Sequence, residues 1–273
     1  MPTLSMVEGH SPESFMAWWG ETWEQGQHVT LLGMTGAGKT TCERFLLSPC
    51  DFVIVPDAKA GDDNLDNFGY RRVTRYPLPF DMRHALKNRE PVHVVLGKVA
   101  STKRQKQANT DMLRRAVSEL WEQGGWTVAC DELQLLASKR FAGGEVGDDI
   151  EELLISARFR RISVLSVFQR PSIGKDTPAA SAAISQSEYI FASITRDQAV
   201  HDRLAEICGR PKPEMRGLIG NLPKYYWACF ALDPTEPVRI FLPPKLKVVR
   251  AATTPAGRIE KAGSRFWGER IAA

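Results

Sequence analysis

Apolar residues in this chain fall into short continuous blocks, separated by stretches in which apolar positions recur every three or four residues. The blocks His28–Leu32, Asp51–Val55, Pro91–Leu96, Trp126–Cys130, Ile162–Phe168 and Ser187–Ile194 read as strands buried on both faces. Arg71–Tyr76, closed by Pro77, reads as a further, exposed strand. Helical spacing follows several of them. It predicts helices from Thr41, from Thr110 or Asp111 to Gly124, from Asp149 to Arg160 and from Asp197 to Cys208. Ser11-Pro12-Glu13 is a helix start, and Phe15, Trp18, Trp19 and Trp23 then repeat at helical spacing. Their bland reading is a helix docked by aromatic burial; the sharper ones are a subunit interface or a base-stacking platform. Lys224–Leu232 and Val238–Leu242 predict a terminal hairpin across Asp233-Pro234.

Strands alternating with helices imply an α/β fold, with a mostly parallel sheet covered on both faces. We divide the chain into an aromatic-rich helix over residues 1–26, one nucleotide-binding domain over 27–249, and a basic, poorly ordered tail over 250–273. Lys98–Asn109, basic and without an acid, reads as a mobile loop, either simply solvated or facing phosphates.

Between the first buried strand and the following helix lies Gly33-Met34-Thr35-Gly36-Ala37-Gly38-Lys39-Thr40. Glycines at this spacing let successive backbone N–H groups curl around a phosphate, and the helix start, through Thr41, adds its own unpaired donors. Lys39 would reach the β- and γ-phosphates, and the Thr40 hydroxyl would ligate Mg²⁺. The expected ligand is therefore ATP or a similar triphosphate. Asp131-Glu132 ends the strand Trp126–Cys130 in the manner of a Walker B element. Asp131 would hold Mg²⁺ and Glu132 would polarise the attacking water, a role that hydrolysis needs. Gln169 ends another strand, where a polar group can sense the γ-phosphate. Arg158, Arg160 and Arg161 read either as a solvated helix end or as a source of an arginine finger for a neighbouring subunit.

Composition narrows the class a little. With 273 residues, 43% hydrophobic and 25% charged, the chain is of ordinary globular make-up. No apolar run is long enough to cross a bilayer and no signal-peptide layout opens the sequence, so the cytoplasm is the expected compartment and a membrane role needs a partner. Five scattered cysteines without metal-ligand spacing read as reduced, packed thiols. The net charge of +4 is uneven: Arg239–Ala273 carries eight Lys/Arg and two Glu, hence +6, leaving −2 for the rest. A basic tail suits nucleic acid but is common on solvated tails too.

Taken together, Gly33–Thr40, Val55-Pro56-Asp57-Ala58-Lys59-Ala60-Gly61-Asp62, Ala129–Leu136 and Ser156–Ser172 resemble the FtsK/HerA superfamily of ring-forming, DNA-pumping ATPases. The resemblance covers Gln27 to Leu242, and Gln169-Arg170-Pro171-Ser172 is its most discriminating part. It implies a RecA-like core with the Gln169 strand beside the phosphate-loop strand, and Lys39, Thr40, Asp131, Glu132 and Gln169 in the family's catalytic positions. Arg158 falls where the family has an Arg, whereas Arg161 replaces a Gly. Asp57-Ala58-Lys59 has Ala for the family's Pro. The implied activity is a Mg²⁺-dependent, DNA-stimulated ATPase that translocates double-stranded DNA as a ring, taken as a hexamer, without the large anchor and winged-helix regions of chromosomal members. A packaging or phage-assembly ATPase with a membrane or portal partner is the nearest rival, and a nucleotide-driven protein-assembly switch the next.

Overall fold

The computed structural model describes residues 6–57, 70–79, 82–88, 90–97, 102–138, 145–168 and 177–245. Ten strands form one sheet in the order β1-β10-β9-β8-β2-β7-β6-β3-β5-β4. These are β1 (Val7–His10), β2 (His28–Leu32), β3 (Phe52–Pro56), β4 (Arg71–Val73), β5 (Val92–Leu96), β6 (Thr127–Cys130), β7 (Ser163–Phe168), β8 (Ser187–Ser193), β9 (Trp227–Ala231) and β10 (Val238–Phe241). Adjacent pairs are parallel except at β9, which runs antiparallel to both β8 and β10. The expected terminal hairpin is therefore present as β9–β10, built into the sheet. The short strand β1, too polar to announce itself in the sequence, extends that edge.

The central strands are apolar on both sides because helices cover both faces. On one face, Val29, Leu31, Leu165, Val167 and Phe191 meet α1 (Pro12–Thr22) and α2 (Lys39–Leu46). Phe15 lies flat on Phe241, with ring centroids 3.7 Å apart, and the Trp19 indole donates to Leu46 O at 3.1 Å. These two rings are buried in the core, so they offer no stacking platform. The opposite residues of the same strands, among them Val128, Val164, Phe168 and Ile190, pack on the second layer. Its helices are α4 (Lys103–Gln123), α6 (Glu145–Ser156), α7 (Pro178–Ser185), α8 (Gln198–Ile207) and α9 (Lys212–Gly220); α3 (Met82–Asn88) and the single turn α5 (Leu133–Leu136) complete the set. All five cysteines are buried as free thiols.

Three expectations are corrected. The basic stretch is not a loop: from Lys103 it is helix, so α4 begins well before Thr110, and only residues 98–101 fall outside the described part. Thr102 and Gln105 form a reciprocal capping box that starts it, while Thr110 sits inside, its hydroxyl donating to Lys106 O. The helix expected over Asp149–Arg160 starts at Glu145, and its last residues, Ala157–Arg160, tighten into a 3-10 turn. Finally, α3, α7 and α9 appear where no helix was expected. The tail beyond residue 245 lies outside the described residues.

Candidate nucleotide site

β2 delivers Gly33–Thr40 at its C-terminal end, and Lys39 is the first residue of α2. Gly36 and Gly38 both adopt left-handed φ, +80° and +84°, a region that glycine enters without cost. Gly33 is held for another reason: a Cβ there would stand 2.6 Å from Ser193 Oγ and 3.0 Å from the Trp227 ring. Its N–H donates to Phe168 O at the end of β7. Lys39 Nζ curls back over the loop and donates to Gly33 O at 3.0 Å and Met34 O at 3.1 Å. Met34 is exposed on the rim, whereas Ala37 is buried under it.

The Asp131-Glu132 pair ends β6, with exactly one strand, β7, between β6 and β2. At the usual strand spacing, the two tips are about 10 Å apart, enough for a terminal phosphate and a water between them. Cys130 pairs with Ser166 and Leu32 with Phe168, so both tips reach the same sheet edge. That is where an open α/β sheet binds ligands. The expected neighbour relation also holds, since the strand preceding Gln169 lies directly beside the phosphate-loop strand. Gln169 itself, with Arg170–Ser172, lies outside the described residues, as do Ala58–Gly61.

No protein-family model matches the chain, and no curated protein does. Solved structures do match. The genome packaging NTPase B204 of Sulfolobus turreted icosahedral virus 2, in complex with ATP-gammaS, superposes with a TM-score of 0.54 at 15% identity, covering 81% of this chain and 100% of that one. B204 described as the DNA-packaging ATPase of Sulfolobus turreted icosahedral virus gives 0.53 at 16% identity, over 81% and 100%. VirB4 of Thermoanaerobacter pseudethanolicus gives 0.49 at 9% identity, over 76% and 87%. The chain has the fold of a P-loop NTPase.

Within this NTPase fold, Arg158 is not brought to the loop. It sits ahead of β7, at the opposite edge of the sheet, ion-paired with Glu188 and donating to Gln186 O at 2.7 Å. Arg161, standing where the resembling family has Gly, takes φ +56° and so keeps the left-handed turn with a non-glycine residue. Gly26 and Gly124 pack against the backbone of this turn, with Arg158 O and Arg160 O at 3.1 and 2.6 Å from where a Cβ would lie. Phe159, 72% exposed, projects from it with Arg160 over its ring.

Sequence reading missed two groups beside the site. Glu43 and Arg44, on α2 just past Thr40, are fully buried, with Arg44 Nη1 3.8 Å from Glu43 Oε1 and its guanidinium 4.0 Å over the Tyr70 ring. Burial pushes the Glu43 carboxyl up to about 8; Arg44 opposes this and the nearby Asp131 carboxylate adds to it. A charged pair inside an apolar helix end (Cys42, Phe45, Leu46) was the available signal, and it places a carboxyl that burial favours in its neutral form beside Asp131. On the other side of β2, Ser193 Oγ is buried without a hydrogen-bond partner beside Gly33, and Tyr225 stands beside Gly38 with φ +72°, a conformation costing a non-glycine residue about 1–2 kcal/mol.

Proposed function

We propose that the chain is an ATPase that couples hydrolysis to movement of double-stranded DNA, working as a homo-oligomeric ring, a hexamer in the simplest form. The observation that carries this is the placement of the Gly33–Thr40 loop and the Asp131-Glu132 tip one strand apart on the ligand edge of a parallel sheet. The donors suit the chemistry. The loop backbone from Gly33 to Thr41, opened by the left-handed Gly36 and Gly38, wraps the phosphates with those N–H groups not already bonded within the protein, as Gly33 and Ala37 are, and Lys39 neutralises the β- and γ-phosphates. The Thr40 hydroxyl and the Asp131 carboxylate are hard oxygen donors that fit Mg²⁺, which when bound offsets charge on the phosphates. Glu132 orients the attacking water and draws on its proton, Gln169 reports the γ-phosphate, and Arg158 acts on the nucleotide of a neighbouring copy.

Within that class, genome packaging is the second reading, favoured by the fold shared with a viral packaging NTPase. It brings with it a portal or membrane partner; among the described residues no helix is long and apolar enough to cross a membrane. ATP turnover measured with and without long duplex DNA tests the proposal. Stimulation by duplex is expected, with Lys39→Ala abolishing turnover and Glu132→Gln slowing it about 10²-fold or more while ATP still binds. Turnover indifferent to DNA in a preparation shown to be oligomeric would overturn the translocase reading, and a response to a protein partner instead would identify an assembly switch.

A further inference from the structure

We infer that Tyr225, with Lys224 beside it, is the platform on which the base of the bound nucleoside triphosphate stacks. The assignment rests on the nucleotide-binding reading above and adds the part of the site that holds the base. Its first support is position. Trp227 opens β9 opposite Ser193, the last residue of β8, so the turn that carries Tyr225 lies over the C-terminal tip of β8, on the same edge as the phosphate loop. The ring is also close to the loop: a Cβ built on Gly38 would stand 3.5 Å from Tyr225 Cδ1.

Direction supplies the second support. The hydrolytic pair Asp131-Glu132 lies on one side of β2, beyond β7, while β8 and β9 lie on the other. A triphosphate seated in the loop with its terminal phosphate toward Asp131 must send its nucleoside the opposite way, over β8 and β9. Tyr225 is the aromatic side chain waiting there.

The third support is that, among the described residues, the fold gives this ring little to do. Tyr225 is 47% exposed, and the charged group stacked on it among the described residues is Lys224, whose Nζ lies 4.7 Å from the ring centroid. Yet its backbone is held at φ +72°, one of two positive-φ non-glycine positions among the described residues. Glycine would satisfy that turn without strain, and so would leave the ring unnecessary for folding. An aromatic face offset over a purine or pyrimidine is a binding contact that tolerates any base, which suits a motor fuelled by an abundant triphosphate.

Calorimetric titration of the full chain with MgATP and with magnesium tripolyphosphate, which has no base, separates the base contact from the phosphate cradle. Tyr225→Gly removes the ring and relieves the backbone, so its thermal midpoint should equal or exceed that of the wild type. We expect it to bind ATP about ten-fold more weakly while its tripolyphosphate affinity stays within about two-fold. Tyr225→Phe should bind both as the wild type does. Unchanged ATP affinity in Tyr225→Gly would overturn the assignment. So would equal loss for ATP and tripolyphosphate, which would make Tyr225 a brace for Gly38. A wild-type chain that binds ATP no better than Lys39→Ala would instead overturn the nucleotide reading itself, and this assignment with it.

Discussion

His28, the first residue of β2, is held as a neutral ring by its own hydrogen bond: Nδ1 accepts from Val164 N–H at 3.0 Å, which it can do only while unprotonated. Burial, and then the Arg158 charge, bring its pKa down from the ordinary 6.5 to about 4. The unfolded chain therefore binds a proton here between those values and the folded chain does not, so stability falls as the pH is lowered through that window. The loss at this one site should be about 3 kcal/mol between pH 7 and pH 4. Urea unfolding at both pH values, on the wild type and on His28→Asn, checks it. An Asn oxygen can accept the same N–H without titrating, and equal pH dependence in the two proteins would remove His28 from the account. Nothing of this was legible in the sequence, where His28 was one more residue of a buried strand. The loop residues were legible because their chemistry is local: Gly36 and Gly38 declare left-handed backbone and Lys39 declares its ligand. Glu43, Arg44 and Tyr225 acquire meaning only once β6, β8 and β9 are placed around them.

At the scale of elements, α4 shows why part of the fold escaped. Its first turns, Lys103 to Asn109, carry no apolar face, because they run over the surface and have nothing to bury until Asn109 and Thr110. Periodicity therefore had no purchase, and the capping pair Thr102 and Gln105 was the only sign. α7 escaped for the opposite reason, since its small apolar residues are buried nearly all round and leave no polar face to mark a period, and both it and α9 were announced by little more than a proline in the first turn. The strands, by contrast, were readable because a parallel sheet buried on both faces writes itself as continuous apolar blocks. That α4 opens as a helix changes what its cations imply. Lys103, Arg104 and Lys106 crowd the positive end of a helix dipole, where cations cost rather than contribute stability, and all three are exposed. On the proposed function, duplex phosphates would supply the counter-charge. Lys103→Glu/Arg104→Glu/Lys106→Glu should leave basal ATP turnover within about two-fold, reduce or abolish its stimulation by duplex DNA and lower the salt slope of DNA binding by up to about three. Undiminished stimulation would return α4 to the status of a solvated helix.

Across the whole molecule, the positions of Lys39 and Arg158 constrain how the proposed ring would work. They lie at opposite edges of the sheet, separated by the length of a strand, roughly 16–20 Å. Arg158 cannot serve the nucleotide of its own chain. If it serves any, it does so head to tail, the heterologous arrangement by which identical subunits close into rings. Its pairing with Glu188 and Gln186 O would then have to exchange for the neighbour's phosphate, while Arg160, lying over the exposed Phe159, has no ion pair among the described residues. Mixing subunits decides between them. In an equal mixture of Arg158→Ala and Lys39→Ala chains, each inactive alone, a productive boundary needs the arginine from a Lys39→Ala copy and the lysine from an Arg158→Ala copy. Random assembly makes that combination at about one boundary in four, so turnover should recover to about a quarter of the wild-type rate. The same mixture built with Arg160→Ala runs beside it. Recovery with Arg160→Ala alone would transfer the role to Arg160, and no recovery in either, with mixed rings confirmed by mass, would mean that this turn holds the sheet edge together and nothing more.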